Sequence, residues 1–151
     1  MIGTVVDEVL IDVERGKIRE FVRATAVEDP VHTDIEAAVA AGFDAEPATA
    51  THVVVAGHHR DQAAVVAALG LDIQRIVVGS VSWRYLRPLT AGDRLRGIRR
   101  LVADESRTGR RGGAMRMVTL ETEYLDAAGS PVVRQTEVLV ERGAAPAEEA
   151  S

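Results

Sequence analysis

Along the first third of the chain the apolar positions change their period. Residues 8–13 read as a short strand. From about residue 13 to 26, Ile18, Phe21, Val22 and Thr25 stand at i, i+3, i+4 and i+7, the single buried stripe of a helix that Asp12 caps. Pro30 disfavours helical backbone at Asp29 and ends that run, leaving residues 28–32 as a loop delivered from a fixed platform. Thr33 with Glu36 forms a capping-box pattern for a second helix, with Ile35, Ala38 and Val39 facing inward and Gly42 as its stop. His32 is thereby expected immediately before a helix N-terminus.

A third helix is expected over residues 51–69, ended by Gly70. Its first part has little polar surface and its last part is uniformly apolar, the pattern of a buried helix. Three consecutive valines, Val53 to Val55, are poor helix formers, so packing has to hold this segment. From Ile76 the period falls to two: Val81, Trp83 and Tyr85 alternate with Ser80, Ser82 and Arg84 until Pro88. Residues 93–104 form a second strand in which Leu95, Ile98 and Leu101 do not alternate cleanly, and Gly97 is read as a bulge. Residues 105–113 read as a Gly/Arg-rich hairpin loop, followed by strands over 114–125 and 132–141. The order of one strand, three helices and four long antiparallel strands is that of an α+β domain with a helix lying on a sheet.

At 151 residues the chain accommodates one core, placed at residues 1–142, with 143–151 read as a small, acidic, disordered tail. Only 3% of residues are aromatic against 46% apolar, so the core is aliphatic and Trp83 and Tyr85 are either packing anchors or the lining of a binding tunnel. The chain has no cysteine, which excludes disulfides and thiolate chemistry and fits a cytoplasmic protein. No basic leader and no apolar run near the ~20 residues of a membrane span is present, so no membrane association is expected. Charge is uneven: residues 75–116 carry +8 and the remainder −13. Such a block suits the phosphates of a ligand, the acidic face of a protein partner or a solvated strand face. Nucleic acid is not an expected partner, because the chain is acidic overall and Trp83 and Tyr85 are the only stacking platforms in the block.

For chemistry, His32 is the candidate general base, with Asp29 or Glu28 to orient it. The competing reading makes His32 a loop residue and Asp29 a holder of backbone amides, as Asp before Pro often is. His52, His58 and His59, with Asp61, lack a third ligand at a recognisable spacing, so no metal is expected. Gly112-Gly113 is not followed by the Lys-Ser/Thr and helix of a phosphate loop, and no cofactor is expected. There is no Gly-x-Ser-x-Gly elbow.

The stretch Ala26-Val27-Glu28-Asp29-Pro30-Val31-His32 resembles the loop Gly-Asp-x-Asn-Pro-x-His of the MaoC-like hydratase/dehydratase family. Ala26 stands at the Gly position, Val27 at the Asp position and Asp29 at the Asn position, while Pro30 and His32 match. A second block, Arg87-Pro88-Leu89-Thr90-Ala91-Gly92-Asp93-Arg94-Leu95, resembles the family's Arg-Pro-x-x-x-Gly-Asp-x-Leu sequence, whose role is structural. Lys17-Ile18-Arg19-Glu20-Phe21 and Ala41-Gly42-Phe43-Asp44-Ala45 are most similar to N-terminal-type units and to the non-catalytic-type subunits of (3R)-hydroxyacyl-carrier-protein dehydratases. The resemblance implies a hot-dog fold, a curved antiparallel sheet wrapped around a long central helix. It also implies a 3-hydroxyacyl or 2-enoyl thioester of coenzyme A or a carrier protein as substrate, and a homodimer or a heterodimer with a second hot-dog subunit.

Two departures bear on activity. Val27 removes the catalytic carboxylate, and Ala50-Thr51-His52 replaces the His-Gly whose amide serves as an oxyanion hole. The expected site comprises His32, Asp29 and Glu28 for catalysis and Val27, Trp83, Tyr85, Thr51 and His52 for substrate binding. The alternatives are a non-enzymatic module that binds an acyl or polyketide-like ligand or stabilises a partner, and a tailoring dehydration or cyclisation in the same pocket.

Overall fold

The computed structural model describes residues 1–109 and 113–143. Arg110, Arg111 and Gly112 of the expected hairpin loop, and the expected tail from residue 144 onward, lie outside them. Strand β1 (Val5–Asp12) leads into helix α1 (Arg15–Ala24), a 3₁₀ turn (Pro30–His32) and helix α2 (Ile35–Ala40). A 3₁₀ segment (His52–His59), helix α3 (Gln62–Ala68) and a short turn (Ile73–Arg75) follow. The remaining strands are β2 (Ile76–Tyr85), β3 (Arg94–Thr108), β4 (Ala114–Leu125) and β5 (Pro131–Arg142). They form one antiparallel sheet in the order β1-β3-β4-β5-β2, with the helical segments on its inner face.

The inner face carries two apolar clusters separated by a polar rung. One cluster joins Ile18 and Val22 of α1 and Val53 of the 3₁₀ segment to Val9, Leu95, Tyr124 and Val133. The other joins Val65, Val66 and Leu69 to Leu101, Leu120 and Leu139. Between them Asp7, Arg99, Thr122, Gln135 and Trp83 stand in direct register across all five strands. Arg99 is 3% exposed; it donates to both carboxylate oxygens of Asp7, at 2.8 Å each, and to Glu137 at 3.4 Å. Arg60 reaches Asp7 from the helical layer and also bonds Tyr124 Oη at 3.5 Å. Gln135 Oε1 accepts from Trp83 Nε1 at 3.2 Å and from Tyr124 Oη at 3.3 Å. Buried charges are tolerated when paired and fully hydrogen-bonded, and this network meets that condition.

The network accounts for the main differences from the sequence-based expectations. Strand β3 does alternate: Leu95, Gly97, Arg99 and Leu101 all face inward, and the buried arginine breaks the hydrophobic pattern. Gly97 makes no bulge, since the register shift falls between Leu101 and Ala103. It makes room instead, because a Cβ there would lie 2.7 Å from the Tyr124 ring. The long central helix over 51–69 is in two pieces. Arg60 is extended, at φ −107° and ψ 143°, and turns its guanidinium into the rung; Asp61 then caps α3 through Ala64 N at 2.9 Å. The run of β-branched residues before the break is 3₁₀ rather than α-helical.

Smaller corrections concern helix ends. α1 follows Glu14 rather than an Asp12 cap, and α2 is capped by Asp34, which accepts from Glu36 N at 2.9 Å, rather than by Thr33. In α2 only Ala38 is buried, whereas Ile35 and Val39 are exposed. Thr25 is exposed, with its hydroxyl on Phe21 O at 2.7 Å.

Candidate functional site

The end of α1 builds the loop. Ala26 has φ 54°, a left-handed conformation, and two bonds close the turn: Ala26 N to Arg23 O at 3.3 Å and Val27 N to Val22 O at 3.0 Å. This is a Schellman motif with alanine in place of the usual glycine. Such a motif is accompanied by an apolar contact from the residue after the left-handed one, and Val27 packs on the cluster that contains Val22. Val27, at the position of the family carboxylate, is therefore part of the helix cap and packs, half-buried, against the core.

Asp29 then caps the 3₁₀ turn, its Oδ1 accepting from Val31 N at 3.0 Å, with Pro30 in the first position. The turn presents His32, which is half-buried, and its Nδ1 lies 2.7 Å from Pro47 O. A carbonyl oxygen only accepts, so Nδ1 carries a proton, and in the neutral ring Nε2 is the nitrogen with the lone pair. α2 begins three residues on, at Ile35, so His32 sits on its own turn rather than at a helix N-terminus.

The Pro47 carbonyl is itself held in place by the second sequence block. Arg87 donates to both oxygens of Asp93, at 2.8 and 3.0 Å, and Asp93 accepts from Thr90 N at 2.9 Å. The closed loop lays Leu89 and Ala91 against residues 46–48, through Ala48 N to Leu89 O at 2.8 Å and Ala91 N to Glu46 O at 2.9 Å. The motif's Arg and Asp are structural, and through this bridge they also set the acceptor of His32.

The other candidates are distributed as follows. Tyr85 donates its hydroxyl to Ala50 O, and burial, then the nearby Tyr124, push it up to about 12, so it stays protonated at neutral pH. Trp83 is packed against the first cluster and tied to Gln135. His52 is 3% exposed, edge-on to Phe21 at 5.3 Å, and its Nδ1 has no partner among the described residues; burial lowers its pKa. Thr51 and Glu28 are exposed. The structure thus groups His32 and Asp29 in one cleft of about 750 Å³ beneath α2, and places Tyr85 on an adjoining cleft of about 390 Å³. It buries His52 and packs Val27 and Trp83, both half-buried, against the first cluster.

The sequence reading missed Pro47, whose contribution is a backbone atom, and the Arg60–Asp7–Arg99 group, whose members lie far apart in sequence. It also missed Glu46, which is 2% exposed and paired with Arg15 at 2.9 Å. The basic block over 75–116 is partly neutralised by acids from the rest of the chain: Arg75 pairs with Asp72 and Glu141, Arg94 with Asp12, Arg96 with Glu8 and Arg99 with Asp7, while Arg116 pairs with Asp104 inside the block. Among the described residues no helix is long and apolar enough to cross a membrane.

Residues 1–135 match the family described as FAS1-like, dehydratase domain region, and the chain belongs to that family. A UPF0336 protein of Clavibacter michiganensis is 39% identical over 137 residues, 87% of this chain and 85% of its own. Similar solved structures are hot-dog proteins. The C-terminally truncated HadBC (3R-hydroxyacyl-ACP dehydratase) complex of Mycobacterium tuberculosis aligns at TM-score 0.69 and 24% identity, over 86% of this chain and 89% of that one. The ChsH1–ChsH2 complex of the same organism aligns at TM-score 0.77 and 16% identity, over 94% and 86%. The fold is the hot-dog fold of MaoC-like dehydratases, and the resemblance seen in the sequence holds.

Proposed function

We propose that this chain is one half of a hot-dog dehydratase or hydratase that interconverts a 3-hydroxyacyl and a 2-enoyl thioester. The observation that carries the reading is the contact of His32 Nδ1 with Pro47 O on a residue that lines a cleft, which in the neutral ring leaves Nε2 as the base. In hydration, Nε2 takes a proton from water as the water oxygen bonds to C3 and C2 gains a proton. Dehydration runs the same transfers backwards. Val27 supplies no second proton-transfer group, and Asp29 spends one oxygen as a cap, so the second group comes from a partner hot-dog subunit. The partner pairs along β2, the edge strand that exposes Val77 and Val78.

The test is hydration of short and medium enoyl-CoA substrates by the purified chain, alone and with a co-expressed second hot-dog subunit. Activity is expected on pairing, and His32→Ala is expected to lower kcat by about 10²- to 10⁴-fold. Full activity of the chain alone that survives His32→Ala sinks the assignment. One observation favours a second reading, a non-catalytic module that shapes a partner's acyl channel: Val27, at the position of the family carboxylate, packs against the core as a cap contact and offers no proton-transfer group. Under that reading His32→Ala in the paired protein leaves kcat unchanged.

A further inference from the structure

One buried charge has no part in the chemistry above. Glu46 is 2% exposed, and among the described residues its carboxylate pairs with one cation, Arg15, whose side chain is 56% exposed. The other oxygen, Oε2, is buried without a partner among those residues. Burial penalises the charge, a guanidinium half in water offsets little of that, and a hydrocarbon of similar volume would avoid the penalty altogether. Stability therefore gives no reason for a carboxylate at this position.

Its place in the fold gives one. Glu46 immediately precedes Pro47, whose carbonyl accepts from His32 Nδ1 at 2.7 Å. Backbone bonds tie this segment to the turn between β2 and β3, through Glu46 O, Ala48 N and a bridge between Pro47 and Thr90. His32 comes from the other side, on the loop that α1 delivers, so the ring and its acceptor belong to different substructures. Among the described residues, the Arg15–Glu46 pair is the one side-chain bond that joins α1 to residues 46–48. Resting on the dehydratase reading above, we infer that Glu46 is a positioning residue: anchored to the first turn of α1, it holds the Pro47 carbonyl against His32 Nδ1 and so selects the tautomer whose Nε2 is the base. The bond made by one imidazole nitrogen decides which of the two is protonated. A carbonyl that drifts away frees Nδ1, the proton passes to Nε2, and the ring no longer offers a base there.

The test begins on the single chain, where neither substrate nor partner enters. Imidazole nitrogen NMR shifts report the tautomer of the neutral ring, with the His32 signals assigned by their loss in His32→Ala. The Nδ1–H form is expected to dominate in the wild type, and the Nε2–H form to rise several-fold in Glu46→Gln. The denaturant midpoint of that variant is expected to equal or exceed the wild-type value, because the cation left behind is already half in water. In the paired protein, Glu46→Gln is expected to lower kcat for enoyl-CoA hydration by about tenfold at unchanged KM. Glu123→Gln opens the exposed pair with Arg134 and is expected to move neither the tautomer nor kcat. Should Glu46→Gln not fold, Arg15→Met with Glu46→Leu removes both charges together and is read in the same way. An unchanged tautomer in a folded variant overturns the positioning role; so does loss of the fold in both variants, which makes the pair structural. A shifted tautomer in Glu46→Gln, with no hydration by the wild-type chain alone or paired, upholds the positioning of the ring and overturns the dehydratase reading.

Discussion

Ala26 carries a side chain through a backbone conformation that glycine adopts without strain. Its φ of 54° is imposed by the bonds that end α1, and a left-handed alanine costs roughly 1–2 kcal/mol. Ala26→Gly is therefore expected to stabilise the chain by about 1 kcal/mol, read as a higher denaturant midpoint at unchanged slope. His52 gives a second test at this scale. Burial holds its pKa below the ordinary 6.5, so the unfolded chain takes up a proton that the folded chain resists. Its contribution to stability is complete above 6.5 and declines as the pH falls below that value. His52→Leu is expected to flatten that decline in pH-dependent denaturation; an unchanged slope means that other groups cause it. Neither property was legible at its residue: Val27 looked like a damaged catalytic position, and only the closed turn shows it to be a cap contact.

The segment between residues 51 and 69 shows how a local pattern yields to a distant partner. Apolar content alone indicated one continuous buried helix, and its two ends are buried as expected, at Val53 and at Val65, Val66 and Leu69. At the break Arg60 pairs with Asp7 of β1, the carboxylate that Arg99 of β3 also holds. For Asp7, burial pushes the carboxyl up, but the hydrogen bonds from Arg99 and Arg60 outweigh it and leave the pKa below the ordinary 3.8. Its stabilisation is present above that value and is lost as the pH falls through the lowered one. Asp7→Asn leaves two buried guanidinium groups without their shared carboxylate and is expected to cost about 3–5 kcal/mol at neutral pH. The same variant is expected to show a shallower loss of stability below 3.8, lacking Asp7's share of it while Asp104 and Asp126 keep theirs, measured by chemical denaturation against pH.

Across the whole molecule the sheet leaves two edges, β1 and β2. On β2, Val77 is 39% and Val78 58% exposed, an apolar edge of the sort that pairs with another chain. The proposed pairing predicts that Val78→Lys shifts the assembly towards a single subunit in analytical ultracentrifugation, with the fold unchanged by circular dichroism. A wild-type chain that sediments as a monomer with or without the second subunit excludes that edge. The element order, the Pro30 break and the structural Arg-Pro/Gly-Asp block were set by sequence alone, because each depends on residues within a few positions of one another. The tautomer of His32, the split central helix and the polar rung were decided only in three dimensions. Each depends on an atom supplied from a remote strand or loop: the Pro47 carbonyl, the Asp7 carboxylate and the Arg99 guanidinium. The pattern of apolar and polar residues along the chain encodes which face is buried, but not which buried charges meet there.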